Sequence, residues 1–136
     1  MKNIEKLVRN AGLKVTAVRI KSLQALKKSK QALSHAELGS MFPEVDRVTL
    51  YRTLSTFEEK GIIHRIIDKS GTIKYSSCSS SCDHNELHDQ HLHFTCNSCN
   101  STVCLDEIDI SPPKLPAKYE LKQYFTLATG TCPQCA

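Results

Sequence analysis

The sequence lacks the features of a membrane protein, a secreted protein or a large enzyme. Its 136 residues contain no tryptophan and no apolar run of about 18 residues, the length that a helix needs to cross a bilayer. The first residues, MKNIEKLVRNAGLKV, form no apolar segment of the kind found in signal peptides. The chain is also short for a barrel enzyme or a doubly wound dehydrogenase. We therefore expect one domain or two small ones, no membrane partner and a cytoplasmic location.

Charge and cysteine are distributed unevenly along the chain. Residues 1–77 hold 15 Lys and Arg against 7 Asp and Glu, a net charge of +8, and contain no cysteine. Residues 78–136 have a net charge of −4 and hold all seven cysteines, an odd number that argues against complete disulfide pairing. The net positive charge of the first half favours binding to a polyanion. Cysteines in a reducing compartment indicate metal or redox chemistry. A serine-rich stretch at residues 76–82 separates the two halves and predicts a hinge.

The basic half predicts helices followed by a hairpin. Beyond a short first helix, Thr16, Ser34 and Asp46 are suited to cap three further helices, because their side chains can accept hydrogen bonds from first-turn amides. Strand-like runs at residues 62–68 and 72–77 then flank a Lys-Ser-Gly turn. Helices of this number followed by a hairpin predict a winged helix-turn-helix.

The fourth predicted helix has one apolar face and one face rich in Thr and Ser. Leu50, Leu54 and Phe57 share the apolar stripe. Taken alone, the pattern is that of an ordinary amphipathic helix. With a hairpin directly after it, the short polar side chains of the other face suit an approach to base edges and phosphates in a major groove. We therefore predict a double-stranded DNA operator as partner. The opposite face carries Val48, Thr49, Arg52, Ser55 and Thr56.

Four segments, spread in order over nearly the whole chain, carry a resemblance to a known family. They are Leu13-x-x-Thr16-x-x-Arg19, DRVTLYRTLSTFEEKGIIHRI from Asp46 to Ile66, HLHFTCNSC from His91 to Cys99, and Cys132-Pro-Gln-Cys135. Together they resemble the ferric uptake regulator family of metal-dependent repressors. The resemblance implies an α+β homodimer with an amino-terminal winged helix-turn-helix, which we place at residues 1–77. A hinge at 78–90 and a small carboxy-terminal α/β dimerisation domain at 91–136 complete the expected organisation.

Candidate DNA contacts come from the resemblance and from charge. Tyr51 and Arg52 match the DNA-contacting part of the family's recognition helix. Arg19 and Arg47 are added on charge and location, and Thr49 because it shares the Thr and Ser face. Dimerisation is predicted from apolar residues that a short last domain cannot comfortably bury, although they could instead form its local core. These residues are Leu115, Tyr119, Leu121, Tyr124, Phe125 and Leu127.

Two cysteine pairs, Cys96-x-x-Cys99 and Cys132-x-x-Cys135, have the spacing of zinc knuckles. Four thiolates close a tetrahedral site with no open position, so the metal would be structural. The alternative is two redox motifs, which favour a helix amino terminus near a βαβ unit, and neither pair has that context. We predict a structural Zn²⁺ ion on these four cysteines, worth ~10 kcal/mol or more of folding free energy.

A second metal site is predicted around the hinge. His91 and His93 alternate as on a strand, which places both imidazoles on one face; alone, the pair could equally be an exposed polar face. Three further candidate ligands are His64 in the predicted wing, Cys78 at the start of the hinge, and Cys104. Loop residues that could replace a ligand are Asp83, His84, His88 and Asp89.

Within the family, His64 together with Cys78 most resembles the zinc uptake regulators. Cys104 stands where most members have a carboxylate, and a thiolate shifts metal preference toward zinc. The helix histidine of iron and peroxide sensors is Ala32 here. We predict a regulatory Zn²⁺ ion, with Fe²⁺ or Mn²⁺ as alternatives, that joins the two halves and favours the DNA-binding conformation. The family's distal site is expected to be lost, since its positions fall on Gln90, Leu92, Ser111 and Ala128.

The sequence favours a zinc-responsive repressor of metal homeostasis over two alternatives. An iron-responsive or peroxide-sensing regulator of the same family would use iron at the site or oxidise a cysteine. An enzyme with a Cys and His zinc site is disfavoured, because the chain has no HExxH and no paired-cysteine deaminase arrangement. We therefore expect no catalytic residues and no small-molecule substrate.

Overall fold

The computed structural model describes residues 2–77, 91–122, 124 and 126–136, which form four helices and six strands. No helix within these residues is long and apolar enough to cross a membrane. The helices are α1 (Lys2–Asn10), α2 (Ala17–Lys28), α3 (His35–Met41) and α4 (Arg47–Glu59). The strands are β1 (Leu33–Ser34), β2 (His64–Ile67), β3 (Ile73–Ser76), β4 (His91–Cys96), β5 (Thr102–Asp109) and β6 (Leu127–Gly130).

Three of the helices begin at the residues that the sequence predicts as caps. The side chains of Thr16, Ser34 and Asp46 accept hydrogen bonds from the backbone amide three residues later, at 3.3, 3.1 and 3.0 Å. These amides have no partner inside their own helix, so each cap satisfies a donor that would otherwise need water. Helix α4, the predicted recognition helix, therefore starts at a fixed point after Asp46.

The apolar stripe of α4 forms the centre of the core. Leu50, Leu54 and Phe57 have no exposed surface, as the periodicity predicts. The stripe packs against the other helices and against residues of strands β1 and β3. The opposite face of α4 is therefore left toward the solvent. Other buried residues of the same hydrophobic core include Val8, Leu23, Leu26, Leu33, Leu38, Ile63 and Tyr75.

The predicted hairpin is present as strands β2 and β3, which pair antiparallel with His64 opposite Ser76. This hairpin, residues 64–76, is called the wing below. Gly71 in its turn has a φ of 86°, a conformation that side chains rarely adopt. The short strand β1 adds to the free edge of β3, with Leu33 opposite Tyr75. The sequence did not predict β1, because two residues show no strand periodicity.

The second sheet has the order β5-β4-β6. Strand β4 pairs antiparallel with β5, where His93 lies opposite Cys104, and parallel with β6. The α+β class is confirmed, and the described helices all lie before residue 60. Pro112, Pro113 and Pro116 disfavour a helix in the connection from β5 to β6, because proline removes a backbone donor and clashes with the preceding turn.

The first sheet and the residue before it contact the β4–β5 loop and the first residue of β5. The backbone amide of Ala32 donates a hydrogen bond to the carbonyl of Thr102 at 2.6 Å. The ammonium group of Lys74, in β3, donates to the carbonyl of Asn100 at 3.2 Å. The wing therefore lies against the part of the chain that carries the first cysteine pair.

Candidate metal centres and DNA-binding surface

Two groups of metal-ligating side chains occur in the described residues, and in each group the ligand atoms all lie within 4.8 Å of one another. The first is the four-cysteine cluster, which consists of Cys96, Cys99, Cys132 and Cys135. The second is the bridging cluster, which consists of His64, His93 and Cys104. Both gather residues that are distant in sequence, and both contain candidate ligands named from the sequence.

Parallel pairing of β4 and β6 assembles the four-cysteine cluster. Cys96 ends β4 opposite Gly130 at the end of β6, so the second cysteine pair follows directly beside the first. The sulfur atoms of Cys99 and Cys132 lie 3.9 Å apart. A tetrahedral zinc ion with bonds of about 2.3 Å separates its sulfur ligands by about 3.8 Å. The donor set and its spacing therefore fit a closed zinc site.

Hydrogen bonds prepare part of this cluster for the thiolate form. Backbone amides of Cys99 and Cys132 donate to the sulfur of Cys96 and lower the pKa of that thiol to about 6. A hydrogen bond from the Ser101 hydroxyl lowers the pKa of Cys99. Hydrogen bonding among the thiols, with Cys132 first, raises the pKa of Cys135 to about 12. Four adjacent thiolates repel one another, so a cation is needed for all four to ionise together.

The bridging cluster joins the wing to the second sheet. His64 belongs to β2, whereas His93 and Cys104 are cross-strand partners in β4 and β5, which places their side chains on the same face. The Nε2 atoms of the two histidines lie 3.2 Å apart, and their side chains are 5% and 2% exposed. A tetrahedral zinc ion with bonds of 2.0 to 2.1 Å would separate two nitrogen ligands by about 3.3 to 3.4 Å. Two buried imidazoles and a thiol at this spacing can hold one ion.

Other sequence-predicted ligands lie wholly or partly outside the described residues. The backbone of His91 pairs with Asp109, and the β4–β5 register shifts between His91 and Leu92; the His91 side chain lies outside the described residues. Cys78 and the predicted hinge 78–90 also lie outside them. The same is true of the alternative ligands Asp83, His84, His88 and Asp89.

Of the candidate DNA contacts, Arg19, Thr49 and Arg52 line one cleft. Arg47, Thr49, Tyr51 and Arg52 are exposed on α4, and Arg19 is partly buried in the first turn of α2. Helices α2 and α4 enclose a cleft of about 470 Å³. Its lining residues are Lys14, Thr16, Val18, Arg19, Thr49, Arg52, Thr53 and Thr56.

Lys14 is a member of this cleft that the sequence reasoning missed. Its carbonyl accepts a hydrogen bond from the Arg19 guanidinium at 2.8 Å, which fixes both residues at the cleft edge. The available signal was a positive charge in the loop directly before the Thr16 cap. Three cationic side chains thus surround a pocket of threonine hydroxyls, an arrangement suited to phosphate oxygens.

Comparisons with known proteins agree with the fold. A family model described as the ferric uptake regulator family matches residues 10–126. A ferric uptake regulation protein of Legionella pneumophila is 30% identical, over 94% of this chain and 95% of that protein. The Vibrio cholerae ferric uptake regulator structure matches with a TM-score of 0.61 and 19% identity, covering 94% of this chain and 98% of that one. The structure of a zinc uptake regulator complexed with zinc and DNA matches with a TM-score of 0.68 and 17% identity, covering 98% of this chain and 91% of that one.

Proposed function

Because this chain belongs to the ferric uptake regulator family of metal-responsive transcriptional regulators, we propose that it is a zinc-sensing repressor that binds operator DNA as a homodimer. One observation carries the proposal: a ligand from the wing, His64, meets His93 and Cys104 from the second sheet. Members of this family are regulators and not enzymes. A metal site that links two parts of the molecule suits regulation, because metal binding can then change their relative position.

The bridging cluster couples metal binding to the relative position of the two halves. His64 lies five residues after the end of α4, while its partners belong to a different sheet. A zinc ion bound there would supply the positive charge that these ligands share. The three side chains can bind one ion together only while the wing lies against the second sheet. Metal therefore stabilises that conformation by as much as its affinity differs between conformations, and DNA strengthens metal binding reciprocally.

A homodimer converts this local change into operator recognition. Two recognition helices reading successive major grooves must lie about 34 Å apart, and a fixed wing orientation fixes this separation. Exposed apolar side chains in the second half support a dimer contact: Leu115 is 43% exposed and Tyr119 is 71% exposed. Contacts to the operator are assigned to Arg19, Arg47, Thr49, Tyr51 and Arg52.

The identity of the regulatory ion is proposed from the donor set. Cys104 contributes a thiolate beside two imidazoles, and soft sulfur donors favour zinc over manganese and iron(II). The four-cysteine cluster is proposed to hold a second, structural zinc ion, since four thiolates leave no position for a substrate or a signal.

An iron-responsive regulator is the second candidate. The Legionella pneumophila relative is named for ferric uptake, and it is 30% identical to this chain. Imidazole also binds iron(II), and a bound iron or the Cys104 thiol could respond to peroxide. Under this alternative, iron(II) would trigger operator binding and peroxide would abolish it.

The deciding experiment compares metals on the purified full chain. A pool of duplexes with a randomised centre, enriched on the zinc-loaded protein and in parallel on the iron-loaded protein, supplies the operator probe. Binding is then measured with zinc, iron(II) or manganese at matched free concentrations, without oxygen and again after peroxide. We expect zinc to support binding at the lowest free concentration, with no loss after peroxide. Binding that responds to iron(II) at concentrations where zinc is inactive would overturn the zinc assignment.

An Arg52→Ala variant tests the DNA surface within the same assay. Removing this charge from the cleft should weaken operator binding by about tenfold, within the range of a single specific contact. Lys27→Ala is the matched control, because Lys27 is an exposed cation of α2 that does not line the cleft. Equal losses in the two variants would show that only net charge matters.

A further inference from the structure

His35, the first residue of α3, contacts the recognition helix at two points. Its Nε2 atom lies 3.0 Å from the backbone carbonyl of Arg47, the first residue of α4. A carbonyl can only accept, so this ring nitrogen carries the proton and donates it. The imidazole also lies edge-to-face against Tyr51, with ring centroids 5.9 Å apart and an interplanar angle of 88°. One side chain therefore contacts both the first turn of α4 and an exposed aromatic residue of its outer face.

Gly39 provides a second contact between the same helices. A Cβ atom built on Gly39 would lie 2.6 Å from the Cζ and Nη1 atoms of Arg47, much closer than any real contact. The Arg47 guanidinium thus lies directly on the bare backbone of α3. Only glycine leaves this space, because every other residue would push the guanidinium away.

We propose that α3 is a positioning platform for operator reading, in which His35 orients Tyr51 and Gly39 seats Arg47. The proposal rests on the proposed DNA-binding function and adds two residues to it. Tyr51 is 52% exposed, so in the absence of the imidazole its ring would sample several rotamers and lose that freedom on binding. Fixing the ring and the start of α4 in advance lowers this loss.

Histidine suits the position because it combines two properties in one short side chain. Its N–H reaches the Arg47 carbonyl, and its ring offers an aromatic edge to Tyr51. Alanine supplies neither contact. The His35→Ala variant therefore removes the support of Tyr51 while leaving the residues on the DNA surface unchanged.

A double-mutant cycle tests whether His35 acts through Tyr51. The zinc-loaded full chain and its variants are titrated with the enriched duplex and with a permuted duplex of the same composition. We expect His35→Ala to weaken binding to the enriched duplex by roughly three- to tenfold and to leave the permuted duplex nearly unaffected. In a Tyr51→Ala background the same change should have almost no further effect. Circular dichroism and thermal unfolding verify that the variants are folded.

Gly39→Ala is the second variant, and it tests the proposal even if His35→Ala does not fold. Alanine favours a helix interior over glycine, so thermal stability should stay equal or rise. Displacement of Arg47 should weaken binding to both duplexes by roughly threefold and reduce the salt dependence by about one phosphate contact.

Several results would overturn the platform. One is an unchanged affinity of His35→Ala for the enriched duplex; another is an equal loss on both duplexes, or the same loss in the Tyr51→Ala background. An unchanged affinity and salt dependence of Gly39→Ala would remove the seat for Arg47. If the wild type binds the enriched duplex without any metal, the zinc proposal fails, whereas the platform is still judged by comparing variants on that duplex.

Discussion

At the scale of single residues, the proposed preference for zinc depends most on Cys104. It contributes the sulfur of the bridging cluster. The same sheet register that pairs Cys104 with His93 would place an aspartate side chain beside the two imidazoles. This position therefore permits a change of donor with little change of backbone.

We predict that Cys104→Asp shifts the metal response away from zinc. A carboxylate is a harder donor than a thiolate, so zinc affinity at the regulatory site should fall by at least about tenfold while iron(II) and manganese become effective. Metal content and metal-dependent operator binding measure the shift. Val103→Ala is the control, because Val103 lines a cleft with Phe94 and Leu105 and is not one of the clustered ligands. A variant that keeps the wild-type order of metals would contradict the role of the thiol.

Another residue-scale prediction concerns Asp68, which closes the turn of the wing. Its carboxylate accepts hydrogen bonds from the amides of Ser70 and Thr72 at 2.9 and 3.0 Å, and Lys74 lies 3.7 Å away. Burial by itself would raise the pKa of Asp68, but these hydrogen bonds and the Lys74 charge together lower it. Because the folded pKa is lowered, the stabilisation is present at pH 7 and is lost as pH falls through that pKa.

Asp68→Asn should therefore destabilise the protein at pH 7 by about 1 kcal/mol, since a neutral amide accepts these hydrogen bonds less strongly. Urea unfolding of the zinc-loaded protein measures the change. Glu59→Gln, which neutralises an exposed acid at the end of α4, is the control and should change stability by less than about 0.5 kcal/mol. Equal effects of the two substitutions would show that the wing turn does not depend on the carboxylate.

At the scale of elements, the two clusters have different consequences for folding. The four-cysteine cluster connects the ends of β4 and β6 to the last residues of the chain, so a metal ion bound there would hold this end of the second sheet together. The bridging cluster connects sheets that already have their own pairing. Loss of the first should affect the fold, and loss of the second should affect only the response.

We predict that Cys96→Ser loses the structural zinc ion and unfolds the second sheet, because such sites contribute ~10 kcal/mol or more to folding. His93→Ala should stay folded, keep one zinc ion per chain and lose metal-triggered operator binding. Metal analysis, circular dichroism and DNA titration of the two variants side by side distinguish these outcomes. A folded Cys96→Ser protein without zinc would show that the cluster is dispensable for folding.

At the scale of the whole molecule, contacts of three types among the described residues link the first half to the second sheet. The first is the bridging cluster, and the second is the backbone hydrogen bond from Ala32 to Thr102. The third is a pair of lysines: Lys74 donates to the Asn100 carbonyl, and Lys69 donates to the Asn97 side chain at 2.8 Å. A single hydrogen bond contributes only about 1 kcal/mol to stability, so metal at the bridging cluster is expected to decide how often this arrangement is populated.

Mild chelation should therefore change shape and DNA affinity together. A chelator that removes the regulatory ion but leaves the four-cysteine ion should broaden the distances in small-angle scattering and weaken operator binding at least about tenfold. Zinc should restore both, and His64→Ala should be insensitive to either treatment. Full operator affinity after removal of the regulatory ion would contradict the coupling of the two halves.

The sequence by itself determined the features that depend on neighbours along the chain. The caps at Thr16, Ser34 and Asp46, the apolar stripe of α4, the hairpin turn and the two cysteine pairs all follow from local spacing, and local geometry is fixed by hydrogen bonds within a few residues. Family membership followed from the same motifs, because they occur in a characteristic order.

Only the tertiary structure decided which distant side chains meet. The meeting of His64, His93 and Cys104 required the packing of the wing on the second sheet, and the contact of His35 with Tyr51 required the packing of α3 on α4. The two-residue strand β1 forms only because the edge of β3 is available to it. Such contacts join residues far apart in sequence, so their formation depends on how whole elements pack and leaves no periodic signal in the chain.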